Sequence, residues 1–226
     1  MPSSFVEQLA SGETRKGQGY SIAPGVVTDN LNLLLEGKVQ VRIPSLPAFE
    51  VWARMVSVGG GSSRGFMWLP QIKDEVLVAF NENDQRDAYV LGGLWNTIDR
   101  PPTAIPTDFM TKRIIKTGLA GGLGHEVEFD DALQSITITS STKQTVVIDP
   151  KKIKISTTAG TMSITLDMVA VPPAITMEVL GGDIALKAPA GKISLQGLQV
   201  DIQATATAGL KATGICTISG ALVKIN

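Results

Sequence analysis

The chain has one cysteine, Cys216, and one histidine, His125, in 226 residues. A single cysteine excludes an intrachain disulfide, and Cys216 is expected to be a small buried filler. A lone histidine excludes the usual multi-histidine metal sets. His125 stands beside Glu126, Glu128, Asp130 and Asp131, which reads as a surface strand with an acidic turn. No metal and no cofactor is expected. Aromatic residues make up 5% of the chain, and no Phe, Tyr or Trp follows Phe129. The formal net charge is −1, without the basic excess that phosphate backbones or anionic membranes attract. No run approaches the roughly 18 apolar residues of a membrane helix. The first 20 residues are polar and lack a secretory leader's apolar centre. Synthesis in the cytoplasm without a signal peptide is the expectation. From Ile175 onward the only carboxylates are Glu178, Asp183 and Asp201. Sugar cleavage wants paired acids, and no nucleophile–base set stands out, so no catalytic residue and no enzyme is expected.

What is present is a repeat. Apolar pairs recur at Ile184/Leu186, Ile193/Leu195, Val200/Ile202, Leu210/Ala212, Ile215/Ile218 and Val223/Ile225. Most are two residues apart, the strand period. They return about every seven to nine residues, with Gly191, Gly197, Gly209, Gly214 and Gly220 between them. One such strand cannot form a core, whereas stacked units bury a continuous apolar line. Two closures are open: a single-chain β-helix, or three copies wound into a three-faced prism. Known solenoids use roughly 20 or more residues per unit. A unit near eight residues is one face, which favours a homotrimer with Ile184, Leu186, Ile193, Leu195, Val200, Ile202, Ile215, Ile218, Val223 and Ile225 along its core.

Upstream, the Thr/Ile-rich alternations at 135–139, 146–148, 153–155 and 162–166 extend the same region back to residue 116. Residues 169–174, VAVPPA, interrupt it. Two adjacent prolines remove ladder donors, so a loop off one face is expected. Residues 99–115 hold three prolines and read as an extended linker. Residues 1–20 read as an N-terminal arm. Between 21 and 98, alternating runs at Val26-Val27, 37–43, 51–56, 75–80 and 89–95 give about five strands with glycines at the bends. That count suggests a small closed OB-type barrel. It carries six Lys/Arg against eight Asp/Glu, so nucleic acid is not an expected partner, and its aromatics are expected in the core.

The run GKVQVRIP, then Trp52, Gly65, Leu69-Pro70, DEVLVAF, YVLGGLWN and PP resembles the barrel of contractile-tail central spike proteins. These include phage baseplate spikes, the valine-glycine-repeat spike of type VI secretion and extracellular injection systems. The motif positions are Gly37, Trp52, Pro70, Asp74, Glu75, Val76, Phe80, Gly92, Leu94 and Asn96. With the repeat behind it, the resemblance covers residues 21 to 226. It implies an all-β homotrimer, an OB-fold barrel (21–98) followed by an intertwined triple-stranded β-helix (116–226).

The implied role is structural: a central spike passing contraction force to a target envelope. Some relatives carry a lysozyme domain between barrel and prism. The 99–115 gap is too short for one. Some hold tip iron through a His-x-His near the C-terminus, which is lacking here. The resemblance also implies a separate trimeric hub protein at the barrel end, inner-tube and baseplate partners, and transient contact with a target membrane. A conical tip protein of the proline-alanine-alanine-arginine repeat class is implied on Ala221, Leu222, Val223, Lys224, Ile225 and Asn226. The expected location is a phage virion or contractile injection particle, released extracellularly in some systems. About 14 strands at ~4.8 Å would make a prism on the order of 65 Å long, more than a bilayer's ~40–45 Å. A trimeric tail fibre or adhesin with a prism shaft is the alternative.

Overall fold

The computed structural model describes residues 22–31, 36–46, 49–82, 84–118 and 124–224. The expected arm over 1–20 lies outside the described residues. The chain divides into two units, Met1–Leu180 and Gly181–Asn226.

The first unit opens with five strands: β1 (Ile22–Asp29), β2 (Lys38–Arg42), β3 (Glu50–Met55), β4 (Glu75–Asn81) and β5 (Asp84–Gly93). They close into a barrel in the order β1-β2-β3-β5-β4. The β3–β5 pairing is parallel, while β1–β2, β1–β4, β2–β3 and β4–β5 are antiparallel. Strict alternation fills the interior with small branched side chains. Val39, Val41, Ile43, Ala53, Val76, Val78 and Val90 are wholly buried. Gly25 lies against this core, where an added Cβ would sit 2.4 Å from the Val41 side chain.

The expectation that the aromatics fill the core is overturned. Phe80 is buried there, but Trp52, Trp68 and Trp95 are exposed. Trp52 stands between the buried Val51 and Ala53, and the strand period turns it outward. The FMWLP stretch forms no strand. Phe66 and Trp68 stack at 5.6 Å on the loop between β3 and β4.

Several motif residues hold the barrel's joints. The Asp74 carboxylate accepts from the Gln71 N–H (2.7 Å), and its carbonyl accepts from the Val27 N–H (3.0 Å). The Asn96 side chain donates to Glu75 (2.9 Å) and accepts from the N–H groups of Ile98 and Asp99. The Leu94 N–H donates to the Glu75 carbonyl (2.8 Å). Gly37 takes a φ of 66° at the turn into β2, a conformation that favours glycine.

The region expected as a linker, 99–115, is shorter than read. A single helical turn, α1 (Asp108–Thr111), leads directly into β6 (Lys112–Lys116). Then follow β7 (Glu126–Asp130), β8 (Ser135–Thr139), β9 (Thr145–Ile148), β10 (Lys152–Ser156), β11 (Met162–Asp167) and β12 (Ala174–Val179). They form one antiparallel meander in sequence order. This corrects the expectation that each strand from residue 116 onward pairs only with other copies. Short connections fold the chain back on itself, and seven strands pair within one copy. Six spacings of ~4.8 Å give about 29 Å along the stacking direction, against the ~65 Å expected for the whole region.

One brace recurs along this sheet. The carboxylates of Asp130, Asp149 and Asp167 each end a strand, and each accepts two backbone N–H groups from the turn that follows. The donors are Ala132 and Leu133, Lys151 and Lys152, and Val169 and Ala170, at 2.7 to 3.0 Å. An Asp side chain folded over its own turn is a local substitute for ladder bonds. The Lys151 N–H, with the Lys152 N–H behind it, holds the Asp149 carboxyl below its ordinary value. The 168–173 connection is the loop expected from the paired prolines.

At the start of the sheet the Lys112 ammonium faces three carboxylates: Glu128 at 3.2 Å, Asp130 at 3.7 Å and Asp108 at 3.9 Å. The hydrogen bond to Glu128 leads in holding its pKa above the ordinary lysine value. On the basic side its contribution is present below that ordinary value and is lost as pH rises through the higher folded one.

The second unit has no strand among its described residues, 181–224, and nearly every residue there is exposed. The expected strands at 184–186, 193–195, 200–202 and 215–218, and the last one from Ala221, do not form in a single copy. A strand needs a ladder partner, and here one copy supplies none. Cys216, expected to be buried, is exposed.

Two stability predictions follow from these contacts. Replacing the buried Ile43 with alanine is expected to cost about 2–5 kcal/mol in chemical denaturation of the barrel. Lys112→Met is expected to lower the melting temperature at pH 7, where Asp108, Glu128 and Asp130 are left facing one another. The difference from wild type should shrink as acid protonates them. A melting series from pH 7 to pH 4 checks both.

Candidate assembly surfaces

The registers of the seven-stranded sheet place its side chains on two unlike faces. On one face, two rows cross all seven strands. The first runs Ile115, Val127, Ile138, Val146, Ile155, Ile164, Met177. The second runs Arg113, Phe129, Ile136, Ile148, Ile153, Leu166, Ile175. Every position but Arg113 is apolar. The opposite face carries Lys112, Lys116, Glu126, Glu128, Ser135, Thr137, Thr139, Lys152, Lys154, Ser163, Thr165, Thr176 and Glu178, broken mainly by Ile114 and Val147.

The polar face is a solvated surface with its own ion pairs, such as Lys116–Glu126 at 2.7 Å. The apolar face is not covered. Ile115, Ile155 and Met177 are 47%, 48% and 53% exposed. An apolar area of this extent marks an interaction surface. Completing the burial of each half-exposed isoleucine is worth about 1 kcal/mol.

The expected core positions of the second unit are all open. Ile184, Leu186, Ile193, Leu195, Val200, Ile202, Ile215, Ile218 and Val223 are each between 48% and 93% exposed. The structure brings none of them together. Of the expected tip-docking residues, Ala221, Leu222, Val223 and Lys224 are exposed and outside any strand. Ile225 and Asn226 lie outside the described residues. The apolar face of the meander was not among the core positions expected from the sequence, which all lie beyond residue 183. Its signal was the alternation of the 135–166 strands, read together with the turn aspartates.

On the barrel, a cavity of about 410 Å³ is lined by Glu36, Lys38, Trp52, Arg54, Arg86, Asp87 and Ala88. Its cations are already paired: Lys38 with Glu36, Arg54 with Asp87, and Arg86 with Asp84 at the rim. Arg54 also lies over the Tyr89 ring at 4.4 Å and donates to its hydroxyl. A side chain so engaged is a poor phosphate ligand. Asp87 accepts from the Asn81 amide (2.9 Å), Arg54 (2.9 Å) and the Tyr89 hydroxyl (3.1 Å). Asn81, ahead of Arg54, holds its carboxyl below the ordinary value.

His125 is exposed, and its Nδ1 accepts from the Ser141 N–H at 3.3 Å. Among the described residues no three His, Cys, Asp or Glu side chains cluster as metal ligands. No helix there is long and apolar enough to cross a membrane.

A small closed barrel followed by an antiparallel sheet with one exposed apolar face defines an all-β chain. Comparison with known proteins narrows the class. Residues 23–95 match the family described as the type VI secretion system/phage-baseplate injector OB domain. The chain is 31% identical over 81 residues to the actin cross-linking toxin VgrG1 of Vibrio cholerae serotype O1, covering 35% of this chain and 7% of that protein. It is 28% identical over 85 residues to each of two type VI secretion system spike proteins of Pseudomonas aeruginosa, VgrG2a and VgrG2b. Those matches cover 38% of this chain, and 10% and 8% of the relatives. The chain thus matches about a tenth or less of these relatives' length. Over its barrel the chain is similar to the injector domain of type VI and phage-baseplate spike proteins, as the sequence motifs led one to expect.

Asn81→Ala removes the leading donor to Asp87. The Asp87 carboxyl midpoint, read by NMR titration, is expected to lie below 3.8 in the wild type and to move upward in the variant.

Proposed function

We propose that the chain is the structural central spike of a contractile, phage-tail-like particle, acting as a homotrimer. The observation that carries this reading is the apolar face of the seven-stranded sheet. Thirteen apolar positions in two rows have no second layer among the described residues of their own unit. Three copies facing inward would bury them on a common axis. The match of the barrel to injector domains supports the spike over a fibre or adhesin, which would share the sheet and not the barrel.

In the trimer, the 181–226 repeat finds in other copies the ladder partners it lacks alone. Ile184 to Ile225 then form the narrow core, where the absence of rings after Phe129 fits a thin prism. Backbone ladders linking three chains resist compression along the axis better than loops do, because each strand is held on both sides. The rod transmits force from a contracting particle to a target envelope and performs no chemistry. Its partners are a trimeric hub and tube at the barrel end and a conical proline-alanine-alanine-arginine repeat protein on residues 221–226.

Light scattering after size exclusion is expected to give close to three times the chain mass of 23.9 kDa. Placing aspartates at Ile155 and Ile164 together should give monomers whose barrel still melts cooperatively, because buried unpaired carboxylates are costly. A monomeric wild-type chain would overturn the reading.

A further inference from the structure

The two edges of the seven-stranded sheet differ chemically. One edge holds α1 and the connections 131–134, 149–151 and 168–173. The other holds the connections 140–144 and 157–161. The first edge ends in apolar tips: Met110, Leu133, Val169 and Val171 are 79%, 68%, 61% and 97% exposed. The second edge is built of hydroxyls and amides that bond to one another. Ser140 bonds Gln144, Thr157 bonds Thr161, and the Thr158 hydroxyl donates to the Thr142 carbonyl of the neighbouring turn.

Among the described residues the apolar tips gather at one edge, against Leu180 beside Thr161 at the other, which marks a docking feature rather than scattered surface residues. Resting on the trimer reading, we propose that this edge seats on the polar edge of a second copy. Val171 there reaches over the rim to cover the outermost apolar row behind it, near Ile155 and Ile164, while Leu133 meets the 140–144 connection at its own level.

Three observations select a second copy as the occupant. First, the Asp130, Asp149 and Asp167 braces set this edge's connections at intervals of two strands, about 9.6 Å, with apolar tips on the first and last and Pro150 and Lys151 on the middle one. The opposite edge of the same meander has the same interval, so two copies match rung for rung. Second, the apolar row through Leu166 and Ile175 runs directly into the 168–173 loop, making the tips continuous with the uncovered face. Third, closing three identical sheets by rotation brings one kind of edge against the other at every corner. Ile155 and Ile164 are 48% and 39% exposed and lie next to the polar edge, where the incoming tips arrive.

The test is photo-crosslinking of the full chain carrying p-benzoylphenylalanine at position 171, with position 133 as a second probe. Copies made in light and heavy nitrogen are mixed during refolding, and the assembly state is read first by mass. A trimer is expected to give isotope-mixed crosslinks from both probes to residues 140–164 of another copy. The yield should be several-fold above that of a probe at Lys154 on the polar face. A trimer whose probes crosslink only within one copy, or to other regions, or not at all, overturns the edge assignment and leaves the trimer standing. A monomer overturns both.

Discussion

Everything in this chain beyond the barrel turns on a mismatch between one sheet and one layer. The strands from β6 to β12 alternate so regularly that, Ile114 and Val147 aside, their large apolar side chains fall on one side. Among the described residues of the first unit, nothing covers that side. A barrel solves the same problem by closing on itself, so that Val39, Val41, Val76, Val78 and Val90 meet across a shared interior. The meander stays open. Its hydrogen bonds are satisfied within the copy, but its hydrophobic surface is not. The second unit goes a step further, for its backbone too lacks partners.

Order along the chain therefore falls in three grades. The barrel is complete in its backbone pairing and its core. The meander is complete in its backbone and half complete in its burial. The 181–224 segment is complete in neither. The grading follows the composition. Strands of four to ten residues that pair with their neighbours in sequence fold locally, whereas units near eight residues with glycine corners offer too little to a single chain. The barrel also differs from its oligonucleotide-binding cousins in how its outer face is used. Lys38, Arg54 and Arg86 are tied to carboxylates, and Trp52 sits among ion pairs rather than over a basic groove.

Much of this was legible in the sequence. The five barrel strands and the strands at 135–139 and 162–166 follow from alternation and turn residues, whereas Asp74 and Asn96 stood out only as motif positions. The barrel match over 23–95 agrees with the motif residues from Gly37 to Asn96. Other features were hidden for physical reasons. The placement of the tryptophans depends on strand register, which composition does not give, so Trp52 was assigned to the core though its neighbours face inward. The start of the sheet at Lys112 was masked by the prolines before it. The intrachain pairing of β6 to β12 was missed because strand period alone does not say whose strand is next. The turn aspartates do say so, since a carboxylate folded over its own turn sends the chain back beside itself.

That recurring aspartate turn has a consequence for how such a molecule can vary. The spacings from Asp130 to Asp149 and from Asp149 to Asp167 are 19 and 18 residues, one hairpin each. Inserting or deleting one such block keeps the strand parity, so inner residues stay inside and the same connections stay on the same side. Length then changes in steps of about 9.6 Å while cross-section and chemistry stay fixed. The meander is a ruler with a built-in graduation, and a lineage can lengthen or shorten it without redesigning anything else.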